Sequence, residues 1–281
     1  MANTRLSPGK AHKRLISSVA PVAVTAIPAR DRILIGCCLA VIVALAWSSL
    51  FYFDRRMSSD MAQHALMAKA GMPMERPWRL IDVFFAFTMW VVMMIGMMTG
   101  PATPVLLLFA GMHARRHSRR IPPIVLIFGL GYMTVWTAFS ACAALVQWAL
   151  HYASMLTPAM AASNVYVGSV ILCAAGLYQF TSLKRTCLAH CQSPLGYLLT
   201  HWRDGSFGAL LMGMRHGAYC LGCCWALMCM LFVVGVMNLF WVAMLALFVL
   251  LEKTGPTGVI VSRVAGATMI LAAVLLVATV K

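Results

Sequence analysis

The chain has 281 residues, of which 62% are hydrophobic and only 10% are charged, whereas about 25% of residues carry charge in ordinary soluble domains. This composition excludes a typical soluble domain and predicts an all-α membrane protein, because lipid offers no partner for unpaired backbone groups. The net charge of +15 lies mainly in loops between apolar runs. Membrane topology and anionic lipid headgroups explain such loops, so no nucleic acid partner is predicted.

In chain order, a basic tail at 1–30 precedes a single transmembrane helical domain at 31–281. Runs long enough to cross a hydrocarbon core of about 30 Å predict a polytopic helical bundle of about seven helices, with six as the alternative count. The apolar stretch Phe207–Leu251 is interpreted as two helices with a tight turn near Gly235–Asn238. The predicted spans are 33–53, 81–111, 122–150, 163–182, 207–234, 236–251 and 259–280.

Short basic loops indicate how the bundle is oriented. The loops 112–120 and 184–205 are rich in Lys and Arg and fall on the same side of an alternating bundle as the N-terminal tail. Positively charged short loops favour the cytoplasmic side of a membrane. We therefore expect these segments in the cytoplasm and the loop 54–80 outside, in a multi-pass protein of the inner membrane.

The strongest chemical signal is a group of thiols with one imidazole, comprising Cys187, Cys191, His216, Cys220, Cys223 and Cys224. Helical spacing places the first two on one face and the last four on one stripe. Such ligands suit copper, with zinc as the alternative. The expected ligand set is Cys187, Cys191, Cys220 and one of Cys223 or Cys224, with His216 as an alternate ligand or a neighbour of the ligands. Isolated cysteines such as Cys142 and Cys173 are interpreted as small packing residues.

Methionines form a second pattern, since the chain contains 22 of them. Thioethers are neutral soft ligands, so a methionine-lined path would carry Cu(I) through a membrane without placing charge in lipid. Ordinary core packing is the alternative, because Met is also a flexible core filler. The candidate path comprises Met89, Met93, Met94, Met97 and Met98, together with Met61 and His64 of the outer loop.

Charged residues at or inside apolar runs form a third pattern. Such residues are costly in lipid and face a partner or a water-filled cavity. Glu252 is expected to pair with Arg215 or Arg263. The alternative interpretation of Glu252 and Lys253 is a solvated loop end.

Several segments between about residues 80 and 280 resemble a bacterial family of predicted metal-binding integral membrane proteins, a domain of unknown function. The resemblance implies metal binding in a bacterial inner membrane, and it implies no reaction or substrate. It rests on Gly176–Gln179, Lys184–Cys191, Pro194, Gly213–Met228, Gly235–Asn238 and Glu252–Lys253, with Met89–Pro104 resembling the first motif of that family.

These patterns predict a membrane protein that binds copper and acts in its transfer across the membrane or its delivery to a metalloenzyme. A metalloenzyme, a metallochaperone or other subunits of a membrane complex are the candidate partners, beside the metal ion and the lipid bilayer. One alternative is a membrane thiol–disulfide oxidoreductase that uses Cys220 and Cys223. The other is a non-catalytic accessory subunit with a structural metal. No catalytic residue is assigned, and enzymatic activity is the less favoured interpretation.

Overall fold

The computed structural model describes residues 27–69, 78–116, 121–157, 161, 164–255 and 257–279, with side chains described outside 60–65, 68 and 69. Within this part of the chain the regular structure consists of ten helices, in agreement with the all-α prediction. They are α1 (Ala29–Lys69), α2 (Leu80–Arg116), α3 (Ile121–Tyr152), α4 (Val165–Tyr178), α5 (Ser182–Gln192), α6 (Pro194–Thr200), α7 (Gly205–Cys229), α8 (Leu231–Val234), α9 (Leu239–Thr254) and α10 (Gly258–Ala278).

Five helical segments of the described residues are long and apolar enough to cross a membrane, so the predicted count of seven is not confirmed. They are Ala29–Ser59, α2, α3, Gly205–Val234 and α10. A sixth span is obtained if α4 and α5 are counted together, although the chain bends by 63° between them. The helix α9 has 16 residues and is therefore about 24 Å long at 1.5 Å per residue, which is shorter than the hydrocarbon core of about 30 Å.

The bend between α4 and α5 divides the span predicted at 163–182. The hydroxyl of Thr181 accepts a hydrogen bond from the backbone N–H of Lys184 at 3.2 Å, which caps a new helix at this point. A cap of this kind satisfies a backbone donor that a continuous helix would satisfy internally. As a result, the segment that carries Cys187 and Cys191 is a separate short helix.

Glycines allow α3 and α7 to pack very closely. A Cβ atom added at Gly213 would lie 2.9 Å from the carbonyl carbon of Phe128, and one added at Gly217 would lie 2.9 Å from the carbonyl oxygen of Tyr132. Small residues at a helix interface let the two backbones approach each other. This close approach brings Tyr132 of α3 next to Cys220 of α7.

Buried hydrogen bonds between side chains link further elements. The indole Nε1 of Trp90 on α2 donates to Oε1 of Gln147 on α3 at 2.7 Å. The hydroxyl of Ser262 on α10 donates to Oε1 of Gln179, which follows α4, at 3.0 Å. Because an unpaired buried polar group is costly, these bonds favour one relative arrangement of the helices.

Candidate metal centre

The histidine and three of the cysteines predicted as ligands lie on the buried side of α7. His216, Cys220, Cys223 and Cys224 are exposed by 4%, 2%, 0% and 0%. The thiols of Cys223 and Cys224 both donate to the carbonyl oxygen of Cys220, at 3.0 Å and 2.9 Å. The side chains therefore share one buried stripe, and two of the thiols are hydrogen-bonded to the backbone of their own helix.

The short helix α5 brings the second cysteine pair against this stripe. The Sγ atom of Cys191 lies 3.9 Å from Sγ of Cys223. The Cys187 thiol packs at Gly222, where an added Cβ would lie 2.7 Å from its Sγ atom. The fold thus brings the two groups of cysteines together, with Cys191 and Cys187 in contact with different parts of α7.

Cys220 has two further polar neighbours that the sequence did not assign to the site. The hydroxyl of Tyr132 lies 2.9 Å from Sγ of Cys220. The ammonium of Lys253 donates to Sγ of Cys220 at 2.7 Å and approaches Sγ of Cys224 at 3.8 Å. Lys253 could have been found from the sequence, because it is a lysine at the end of an apolar run. Nothing in the sequence singled out Tyr132.

A buried ion pair adjoins the cysteines. Nζ of Lys184 lies 2.7 Å from Oε1 of Glu252, and both side chains are buried. The expected pairing of Glu252 with Arg215 or Arg263 is therefore wrong, since both arginines have exposed side chains. The alternative that Glu252 and Lys253 form a solvated loop end is wrong too, because the residues are exposed by only 0% and 7%.

A cavity of about 240 Å³ lies beside these groups. Cys191, Cys220 and His216 all contribute to its wall, and Nδ1 of His216 is buried with no hydrogen-bond partner. A buried imidazole nitrogen without a partner is unusual in a folded protein. The complete lining consists of Pro101, Pro104, Val105, Tyr132, Cys191, Gln192, Pro194, His216, Cys220, Lys253 and Thr254.

In the structure, the thiols are not arranged around a position for a metal ion. Among the described residues, no three side chains of His, Cys, Asp and Glu have an arrangement that could hold a metal ion. Instead, Cys223 and Cys224 donate to the backbone of their own helix, and Cys220 accepts a hydrogen bond from Lys253. Metal binding at this site requires the thiols to turn away from these partners.

Comparison with known proteins identifies the family. A model of the PpoB2 family, described as a copper chaperone, matches residues 87–276. The chain belongs to this copper chaperone family. No curated protein and no solved structure matches it. The family description supports the metal-related part of the predicted resemblance, and it names copper where the resemblance implied only a domain of unknown function.

In this member of the family, the predicted methionines lie on a helix that also borders the cavity. The side chains of Met89, Met93, Met94, Met97 and Met98 are all buried in α2. The same helix supplies Pro101, Pro104 and Val105 to the cavity wall, and none of these five methionines lines the cavity. The side chains of Met61 and His64 lie outside the described residues.

Proposed function

We propose that this protein is a multi-pass membrane protein that binds Cu(I) as its cargo and passes it across the membrane or on to a metalloenzyme. The cavity carries this proposal, because two thiols and an unpartnered imidazole line it, and the helix that holds the buried methionines supplies another part of its wall. Membership of the copper chaperone family supports copper over zinc.

The proposed ligands are Cys191 and Cys220, which meet at the cavity from α5 and α7. Soft sulfur donors select Cu(I), and the nearby imidazole of His216 offers a third donor whose Nδ1 has no other partner. Sγ of Cys223 lies 3.9 Å from Sγ of Cys191 and offers a further sulfur ligand to which the copper ion could transfer. Cys187 and Cys224 lie outside the cavity wall and are secondary candidates.

The proposed location is the bacterial inner membrane. Large apolar side chains such as Leu80, Phe84 and Phe85 are 89%, 58% and 62% exposed, and soluble proteins rarely expose such surfaces over several long helices. We place the loop 184–205 in the cytoplasm. Labelling with a membrane-impermeant thiol reagent should then reach Ala153→Cys from outside and leave Thr186→Cys unlabelled in intact cells, and the reverse result would contradict this orientation.

The test of copper binding compares two double variants. Purified wild-type protein should retain about one Cu(I) per chain, and Cys191→Ser with Cys220→Ser should remove it, because hydroxyls are poor ligands for soft metals. The matched control is Cys142→Ser with Cys173→Ser, two cysteines of other helices that do not line the cavity, and it should keep its copper. Full metal content in the first variant would refute the proposed ligands.

The oxidoreductase alternative is less well supported. A thiol–disulfide enzyme needs a thiolate that its substrate can reach, and Cys220 and Cys223 are exposed by only 2% and 0%. A structural metal in an accessory subunit remains the other alternative. It predicts that bound copper does not exchange with a chelator unless the protein unfolds, whereas the copper of a carrier exchanges in the folded state.

A further inference from the structure

Lys253 is the cation closest to the proposed copper ligands in the described part of the chain. It lies in the last turn of α9, is exposed by only 7%, and contributes to the cavity wall. Its ammonium donates to Sγ of Cys220 at 2.7 Å and lies 3.8 Å from Sγ of Cys224. A positive charge therefore already occupies the position beside Cys220 that an incoming copper ion needs.

The backbone around Lys253 is held firmly to the helix that carries Cys191. The carboxylate of Glu252 pairs with Lys184 of α5 at 2.7 Å. The backbone carbonyl of Glu252 accepts a hydrogen bond from Nε2 of Gln192, also on α5, at 2.8 Å. Because Glu252 is held at two points, displacement of the ammonium from Cys220 requires a change in the Lys253 side chain rather than in the backbone.

A buried ammonium needs a compensating partner, since burial of an unpaired charge is expensive. The sulfur of Cys220 provides that partner in the structure. Lys253 and a metal ion cannot both occupy this position. They also repel each other at short range, with an energy proportional to the charge of the ion.

We infer that Lys253 is a placeholder for the metal: its ammonium occupies the copper position in the unloaded protein, leaves Cys220 when Cu(I) arrives, and selects a monovalent ion over a divalent one. The hydrogen bond from Nζ to Sγ breaks as the copper–sulfur bond forms, and each ligating thiol releases its proton to water as it binds the ion. The lysine stays protonated and no electron is transferred. The displaced ammonium remains near the ion and weakens its binding, so that copper can be released to an acceptor. This inference rests on the copper-binding role proposed above.

The experiment measures Cu(I) and Zn(II) affinities of Lys253→Gln by competition with chromophoric chelators. Removal of the charge should tighten Cu(I) binding by about tenfold, which corresponds to about 1.4 kcal/mol. Displacement of the lysine–sulfur contact weakens binding of both ions alike, whereas the repulsion is proportional to ion charge, so Zn(II) binding should tighten by more than tenfold and by at most about a hundredfold. Release of Cu(I) to the chelator should slow in the same variant.

The matched control is Arg263→Gln, which removes one positive charge from an exposed position away from the cavity. Its affinities for both ions should equal those of wild-type protein, because Arg263 does not line the cavity. Equal affinities in Lys253→Gln and wild type would overturn the placeholder role while leaving copper binding intact, and an equal gain for both ions would overturn its selection of a monovalent ion. Failure of wild-type protein to bind Cu(I) would instead overturn the proposed function and the inference together.

A second measurement uses wild-type protein and so does not depend on the folding of a variant. An amine-acetylating reagent is applied with and without Cu(I), and modification of each lysine is quantified by peptide mass spectrometry. Copper should increase modification of Lys253 at least severalfold and leave Lys184, held in its ion pair, unchanged. Equal modification of Lys253 in both conditions would refute its displacement.

Discussion

The substitution Gly213→Ala tests whether the close contact between α3 and α7 both stabilises the fold and builds the site. The added Cβ would overlap the carbonyl oxygen of Phe128 and lie 2.9 Å from its carbonyl carbon, whereas non-bonded carbons rest at about 3.5 Å or more. The helices must therefore separate by at least roughly 0.6 Å. The obstacle is backbone rather than a side chain, so no change of rotamer can relieve the overlap.

The expected cost follows from this geometry. Overpacking of a well-packed interface costs about 1–3 kcal/mol, and an obstacle made of backbone favours the upper end. The gain in helix propensity from Gly to Ala offsets about 1 kcal/mol. A net loss of about 2 kcal/mol corresponds to a fall in Tm of roughly 4–8 °C. Separation of the helices also lengthens the 2.9 Å contact between Tyr132 and Cys220, so Cu(I) retention should fall in the same sample.

The control is Gly36→Ala in α1, since an added Cβ at Gly36 meets nothing within 4 Å. This helix position gains propensity without overlap, so its Tm should equal or slightly exceed that of wild type. Thermal unfolding in detergent, followed by circular dichroism, compares the two variants, and a chelator assay reports copper. A Tm for Gly213→Ala as high as that for Gly36→Ala would refute the packing argument.

Three further outcomes are expected. Lys184→Met should lower the free energy of unfolding by about 3–5 kcal/mol, because it leaves the carboxylate of Glu252 buried without a counter-charge. Adding Glu252→Leu should restore most of this loss, and equal Tm values for the single and double variants would contradict the ion-pair argument. Met93→Leu with Met97→Leu should slow Cu(I) movement into vesicles while changing the unfolding free energy by less than about 1.5 kcal/mol, and an unchanged copper flux would leave the methionines as core packing alone. Cu(I) at about 100 times its Kd should stabilise the folded protein by about 2.7 kcal/mol, seen as a rise in Tm, and no rise would argue against a ligand that binds only the folded state.

The sequence by itself determined the helical class and the chemical character of the site. Long apolar runs leave few options other than helices, and helical spacing is a local property, so the stripe from His216 to Cys224 could be read without any tertiary information. The methionine row of α2 was readable for the same reason. The copper-related role agrees with the family that matches residues 87–276.

Only the tertiary structure decided which partners meet at the site. Tyr132 and Cys220 are 88 residues apart in the chain but lie in contact. Glu252 pairs with Lys184 and not with either of the two arginines that the sequence suggested. Contacts of this kind depend on how helices cross and on which faces they bury, and neither property has a periodic signature. The helix break at Thr181 could not be predicted from hydropathy either. It depends on the hydroxyl of one residue, which caps the start of the next helix. The sequence therefore supplied the ligand types, while packing between distant helices placed Cys191, Cys220, His216 and Lys253 around one cavity.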